Sequence, residues 1–182
     1  RLLQCKHHAP HDFYGRHTVA GNTVVRTRLL GATDVQLLIH NDMIQMVDTG
    51  DDIWIAELDG EHASDYRLRV TYPEAEPQIV ADPYYFLPSV GSLDLHLIGE
   101  GRHERLWEAL GANVKTYTTD LGQVTGTAFA VWAPNARGVA VVGDFCGWNP
   151  NQYPMRSLGS TGVWEIFIPG ITAGAHYKFA VQ

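Results

Sequence analysis

The chain has 182 residues, 45% of them hydrophobic, with 20 acidic against 13 Lys and Arg side chains and a formal charge of −7. That apolar fraction excludes a disordered chain, and the acidic balance argues against a nucleic-acid or anionic-membrane partner while leaving neutral partners such as sugars open. No stretch approaches the run of about twenty apolar residues that a spanning helix needs, and Arg1–His8 is too polar for a signal peptide.

His7 to Gly15 is a polar entry segment broken by Pro10 and Gly15. Its His7, His8 and His11, with His17, flank a proline on irregular sequence. They are expected to bond backbone rather than converge on a zinc ion, which needs several ligands and their supporting partners. Thr23 to Leu30 alternates β-branched and polar residues and predicts a strand, followed by the turn Gly31–Asp34. Val35 to His40 predicts a more buried strand, Met43 to Val47 a short one, Asp48–Asp52 a turn, Ile53 to Leu58 a strand and Tyr66 to Tyr72 the last of this set.

Asp82–Phe86 is an aromatic turn, and Leu93, Leu95 and Leu97 follow. Arg102 to Leu110 predicts a helix, with Leu106, Trp107 and Leu110 as its apolar stripe and Gly111 at its C-terminal cap. Tyr117 to Gly126 predicts a polar turn or hairpin. Phe129–Trp132, Val139–Gly143, Trp164–Ile168 and His176–Val181 predict a second set of strands, in which Trp132 and Trp164 are expected to lie in the core.

The second set repeats the first. Thr23–Leu38 lines up with Thr127–Val142, Ile53–Gly60 with Val163–Gly170 and Tyr66–Val70 with Tyr177–Val181, always at an offset of about a hundred residues. Solenoid repeats are far shorter. The expected fold is all-β: two tandem immunoglobulin-like antiparallel sandwiches joined by a short helical connector, divided as residues 1–90, 91–116 and 117–182. The chain lacks an initiator Met and stops at Gln182 in strand-like sequence, so it is expected to be a piece of something larger. Cys5 and Cys146 form no CxxC motif and lie far apart, which predicts two free thiols in a reducing cytoplasm.

Catalytic motifs are not found. There is no GxSxG elbow and no phosphate-binding loop, and Gly99–Gly101 is only a fragment of a glycine fingerprint. Glycoside chemistry needs two carboxylates on a rigid scaffold; Asp42, Asp48, Asp51 and Asp52 are turn acids, and Asp144 has no indicated partner. No catalytic residue, metal or cofactor is assigned. The binding candidate is Gly143–Pro150, with Asn151 and Tyr153 after it. Its Trp148 either offers an exposed ring to a sugar face, with amides and Lys bonding the hydroxyls, or caps the end of the sandwich core.

Gly126–Arg137, Val141–Asn149, Pro154–Met155, Gly162–Glu165 and Tyr177–Phe179 closely resemble a family-48 carbohydrate-binding module. The first set, with Asp82–Phe86 and Leu93–Ala112, resembles the extra N-terminal module of bacterial glycogen branching enzymes. The sandwich motifs also occur in debranching and trehalose-forming relatives, whereas the connector motif is more specific. The resemblance implies a (β/α)₈ barrel downstream, in cis, that cuts α-1,4-glucan, holds it as a glycosyl-enzyme ester and transfers it to a glucose 6-hydroxyl. None of the barrel's motifs is in this sequence. It further implies α-1,4-glucan as a partner of the second module through Trp148 and Lys178, with Asn149 beside them, and a further aromatic beyond Gln182. Cys146 stands where the family usually has Asn. A free-standing glycan-binding or scaffold protein, and the N-terminal part of a debranching hydrolase, are the alternative readings.

Overall fold

A computed structural model describes residues 7–182, so Cys5 lies outside the described residues. The described residues group into two compact units, one of residues 11–85 with 117–124, the other of residues 7–10, 86–116 and 125–182.

The first unit is a sandwich of two four-stranded antiparallel sheets. One sheet runs in the order β1 (Gly15–Val19), β2 (Asn22–Arg28), β6 (Ile53–Leu58), β5 (Val47–Asp48). The other runs β4 (Asp42–Gln45), β3 (Asp34–Ile39), β7 (Tyr66–Thr71), β8 (Gln78–Val80). Alternation along β3 turns Val35, Leu37 and Ile39 inward. They meet Val25, Trp54, Ala56, Leu58, Tyr66 and Leu68 in one core. The strand predicted over Met43 to Val47 is two strands in different sheets. Buried Met46 stands at the crossing and anchors it in the core.

The second unit is built the same way, from β13 (Arg156–Ser157), β14 (Val163–Pro169), β10 (Gly122–Trp132) and β9 (Gly111–Thr119) facing β12 (Tyr153–Pro154), β11 (Val139–Gly143) and β15 (Tyr177–Val181). The hairpin expected over Tyr117 to Gly126 is the turn between β9 and β10. The sequence repeat is a repeat of register. Thr23 pairs with Leu58 and its counterpart Thr127 with Ile168; Val35 pairs with Val70 and Val139 with Val181.

The connector is helical, but its helices fall elsewhere than expected. α1 spans Ser92–Gly99, and only the turn Leu106–Ala109 (α2) of the predicted Arg102–Leu110 helix forms. Gly111, with φ of +86°, follows that turn and lets the chain reverse into β9. Residues 86–110 lie on the outer face of the β14–β10 sheet. Phe86 meets Phe167 edge-on at 4.6 Å, and Val90, Leu95, Ile98, Ala109 and Leu110 cover Ala130 and Val163. Both faces of β14 are therefore buried, which is why its sequence shows no polar alternation.

That cover also holds Glu165, which is fully buried on the outer face. Its Oε1 accepts from the Ser89 hydroxyl (2.8 Å) and Ser89 N–H (3.2 Å), and its Oε2 from Arg156 Nε (2.8 Å). Arg156 also donates to the Phe86 carbonyl at 2.9 Å. The connector is thus pinned by a satisfied ion pair as well as by apolar contact.

Trp164 is in the core as expected, its indole N–H donating to the Ala133 carbonyl at 3.0 Å. Trp132 is not: it is 58% exposed. It shares the parity of Ala130, not of core-facing Phe129, so it sits on the outer face at the strand's end, where the connector only partly covers it.

Candidate functional site

β11 ends at Gly143, and the chain must leave it under a crowded roof. A Cβ at Gly143 would stand 2.4 Å from the His176 carbonyl oxygen and 2.5 Å from the Phe145 ring. Glycine is required there by close approach, since its φ of −174° is ordinary extended backbone. A single 3-10 turn, Asp144–Cys146, follows, and then Gly147 and Trp148 both take left-handed φ values, +56° and +61°. The turn is locked from within. Trp148 N–H donates to the Gly143 carbonyl (2.9 Å), Asn149 N–H to the Cys146 carbonyl (3.1 Å) and Asn151 N–H to Asn149 Oδ1 (2.9 Å).

Cys146 is a free, buried thiol. Its sulfur accepts from Gly143 N–H at 3.3 Å and lies 3.4 Å from the Gly143 carbonyl. The side chain at this position therefore braces the turn from inside.

The outer surface carries Trp148, 45% exposed. Lys178 on β15 pairs with Val142 of β11, which brings its Nζ to 5.9 Å from the centre of the Trp148 ring, at the outer limit of a cation–π contact. Of the three sequence candidates, Trp148 and Lys178 are brought together and exposed. Asn149 is half-buried, its side-chain carbonyl committed to the turn. Beside them Asp144 accepts from the His176 N–H at 3.2 Å, which, with the His176 ring at 3.3 Å, holds its carboxyl below the usual range. Sequence reasoning passed over this Asp144–His176 contact because the two residues are far apart in the chain. Tyr153 stands behind the turn, its ring 6.0 Å from Phe145.

The first unit has nothing equivalent. Where the second places the Trp148 loop, the first has the tight β3–β4 turn His40–Asn41. Among the described residues, no group of three or more His, Cys, Asp and Glu could hold a metal ion, and His7 and His8 stack on each other at 5.1 Å. Among the described residues, no helix is long and apolar enough to cross a membrane.

Residues 1–84 match the family described as alpha-1,4-glucan branching enzyme GlgB, N-terminal domain, and residues 109–182 match carbohydrate-binding module 48, the isoamylase N-terminal domain. Over its whole length the chain is 60% identical to the 1,4-alpha-glucan branching enzyme GlgB of Corynebacterium glutamicum, 59% to that of Corynebacterium efficiens and 52% to that of Rhodococcus jostii. In each case it covers 25% of the relative, so the chain spans about a quarter of the length of the curated relatives it matches. The chain thus carries a region similar to the N-terminal domain of alpha-1,4-glucan branching enzyme GlgB, followed by one similar to carbohydrate-binding module 48.

Proposed function

We propose that this chain is the non-catalytic N-terminal part of a glycogen branching enzyme, in which residues 1–90 and 117–182 act as modules joined by the connector 91–116. The remainder of the polypeptide would cut an α-1,4 bond and pass the segment to a glucose 6-hydroxyl. The support is the match of the whole chain to the N-terminal quarter of enzymes of that name. Within the chain, the second module holds α-1,4-glucan weakly by stacking a glucose face on Trp148 while Lys178 reaches a hydroxyl.

The observation that carries the binding assignment is the pairing of an exposed Trp148, held at a left-handed φ, with the exposed Lys178 ammonium. A large side chain in that backbone region costs on the order of 1 kcal/mol and gains little burial in return, a combination that concentrates at functional surfaces. One aromatic platform with one or two polar contacts supports a dissociation constant of roughly millimolar order, about −4 kcal/mol.

Two measurements test the proposal. Maltoheptaose titrated into the protein should move backbone NMR signals around residues 143–152 and 177–179, and Trp148→Ala should strongly weaken the response; shifts confined to residues 22–71 would refute the site. The polypeptide extended by whatever follows it in its gene should branch amylose without creating reducing ends, because transfer replaces one α-1,4 bond by one α-1,6 bond. A rise in reducing ends would identify a debranching hydrolase, and no activity a free-standing binding protein.

A further inference from the structure

The pole of the second sandwich away from Trp148 carries a different surface. β10 ends at Trp132 where β11 begins, and the Trp148 loop follows the other end of β11. Trp132 is 58% exposed, and with Ile98, Leu106 and Leu110 it walls a hollow of about 290 Å³ on the connector. Leu106 is itself 42% exposed, and Trp107, on the same turn, is among the most exposed large apolar side chains among the described residues. A tryptophan and a leucine this open beside an apolar hollow are a mark of a covered surface in the working molecule.

The polar groups at the hollow are already committed. The Trp132 indole N–H donates to the Thr161 carbonyl at 3.1 Å. Both ring nitrogens of His103 are engaged, Nε2 with Asp94 Oδ1 at 2.8 Å and Nδ1 as acceptor of Arg105 N–H at 3.1 Å. A sugar needs convergent donors and acceptors that this hollow does not offer, whereas an apolar protein side chain needs none. The rim is charged, with Arg102 beside Glu100 and Arg105 beside Glu108, the pattern of an interface margin.

We infer that the hollow between Trp132 and Leu106 docks an apolar side chain from the remainder of the same polypeptide. This rests on the reading of the chain as the N-terminal part of a longer enzyme, whose relatives extend over three further quarters of their length. A covalently attached partner is present at high effective concentration, so a hollow of this size suffices for it where a second copy of the chain would need a far larger area. Docking at this pole leaves the Trp148 pole open to glucan.

The test uses the full polypeptide labelled with 5-fluorotryptophan, its 19F signals assigned by single Trp→Phe replacements and read in H2O and D2O. The Trp132 signal should lose nearly all of its solvent isotope shift while Trp148 keeps its own. A Trp132 shift as large as that of Trp148 overturns the inference. Protection of Trp132 that vanishes on dilution assigns the hollow to a second copy and overturns it as well. In the full polypeptide Leu106→Asp should restore the Trp132 shift; an unchanged, protected Trp132 in that variant also counts against it. The branching assay on the same sample reports separately on the enzyme reading, so docking fails alone if branching is present and Trp132 is exposed.

Discussion

Lys178 and Trp148 reach one another across two elements: a strand that pairs Lys178 with Val142, and a loop that leaves the same strand one residue later at Gly143. The β-sheet register therefore sets the two residues side by side, with the ammonium 5.9 Å from the ring centre. The first prediction follows from this. Trp148→Ala should change stability by no more than about 1 kcal/mol, since the ring is half open to solvent. The same change should weaken maltoheptaose binding roughly tenfold or more, the equivalent of about 1.4 kcal/mol. Lys178→Met, which keeps the stem and removes the charge, should weaken it several-fold and leave the fold intact. Thermal unfolding and NMR titration of both variants separate the two effects; unchanged binding in Trp148→Ala contradicts the site.

Gly143→Ala is the sharper structural test. The added methyl would meet the His176 carbonyl and the Phe145 ring well inside contact distance, and backbone oxygen cannot move aside cheaply. Overpacking of this kind costs about 1–3 kcal/mol or more. The variant should unfold at lower denaturant concentration and also lose the glucan response, because the Trp148 loop starts at the displaced residue. Gly147→Ala, with open space around its Cβ and only a left-handed φ to maintain, should cost less, on the order of 1 kcal/mol. Urea unfolding of the two variants checks the order.

The strands were legible because β-branched alternation and the turn residues between them are local signals, and the repeat added register: Thr23 with Leu58 and Thr127 with Ile168 occupy the same rungs. What was hidden depended on contacts between distant segments. Trp132 reads as core by composition, yet its parity puts it on a face whose cover ends before reaching it. α1 was missed because Leu93, Leu95 and Leu97 alternate as a strand would, and none of the helix is fully buried. Glu165 gives no local hint that Ser89 and Arg156 will converge on it. Trp148 stood out from its turn and Lys178 only through family resemblance, and their adjacency became physical only with the β11–β15 register.

Breaking the Arg156–Glu165 pair should be costly in one direction only. Arg156→Ala leaves a carboxylate with no exposure and no cation, and such losses run to about 3–5 kcal/mol. Replacing both residues by leucine should recover much of that, since no charge is then buried, although Ser89 loses its acceptor. Chemical denaturation of the two variants tests this. A double variant no more stable than Arg156→Ala contradicts the account.

Asp82 should make the protein's stability depend on pH in a direction opposite to that of most carboxylates. It is fully buried, and burial pushes its carboxyl up to about 6, against the lowering effect of bonds from Tyr84 N–H (3.0 Å) and the Tyr66 hydroxyl (2.8 Å). Tyr66, buried beside it, is pushed well above its ordinary value, first by burial and then by the Asp82 charge, so the tyrosine keeps its proton and remains the donor. The unfolded carboxyl releases its proton near its ordinary value of 3.8 and the folded one only near 6. Between these values the native state binds more protons, so stability is greatest below pH about 4, falls as pH rises to about 6 and levels off above. A shift of about two pKa units corresponds to about 3 kcal/mol. Other groups titrate in the same window, so the quantity to measure is the difference between wild type and Asp82→Asn, which carries no charge at any pH. The stability of wild type relative to Asp82→Asn should drop by about that amount between pH 4 and 7, read from urea unfolding at each pH. A difference that stays flat, or that rises with pH, would show that the carboxylate is stabilised where it sits.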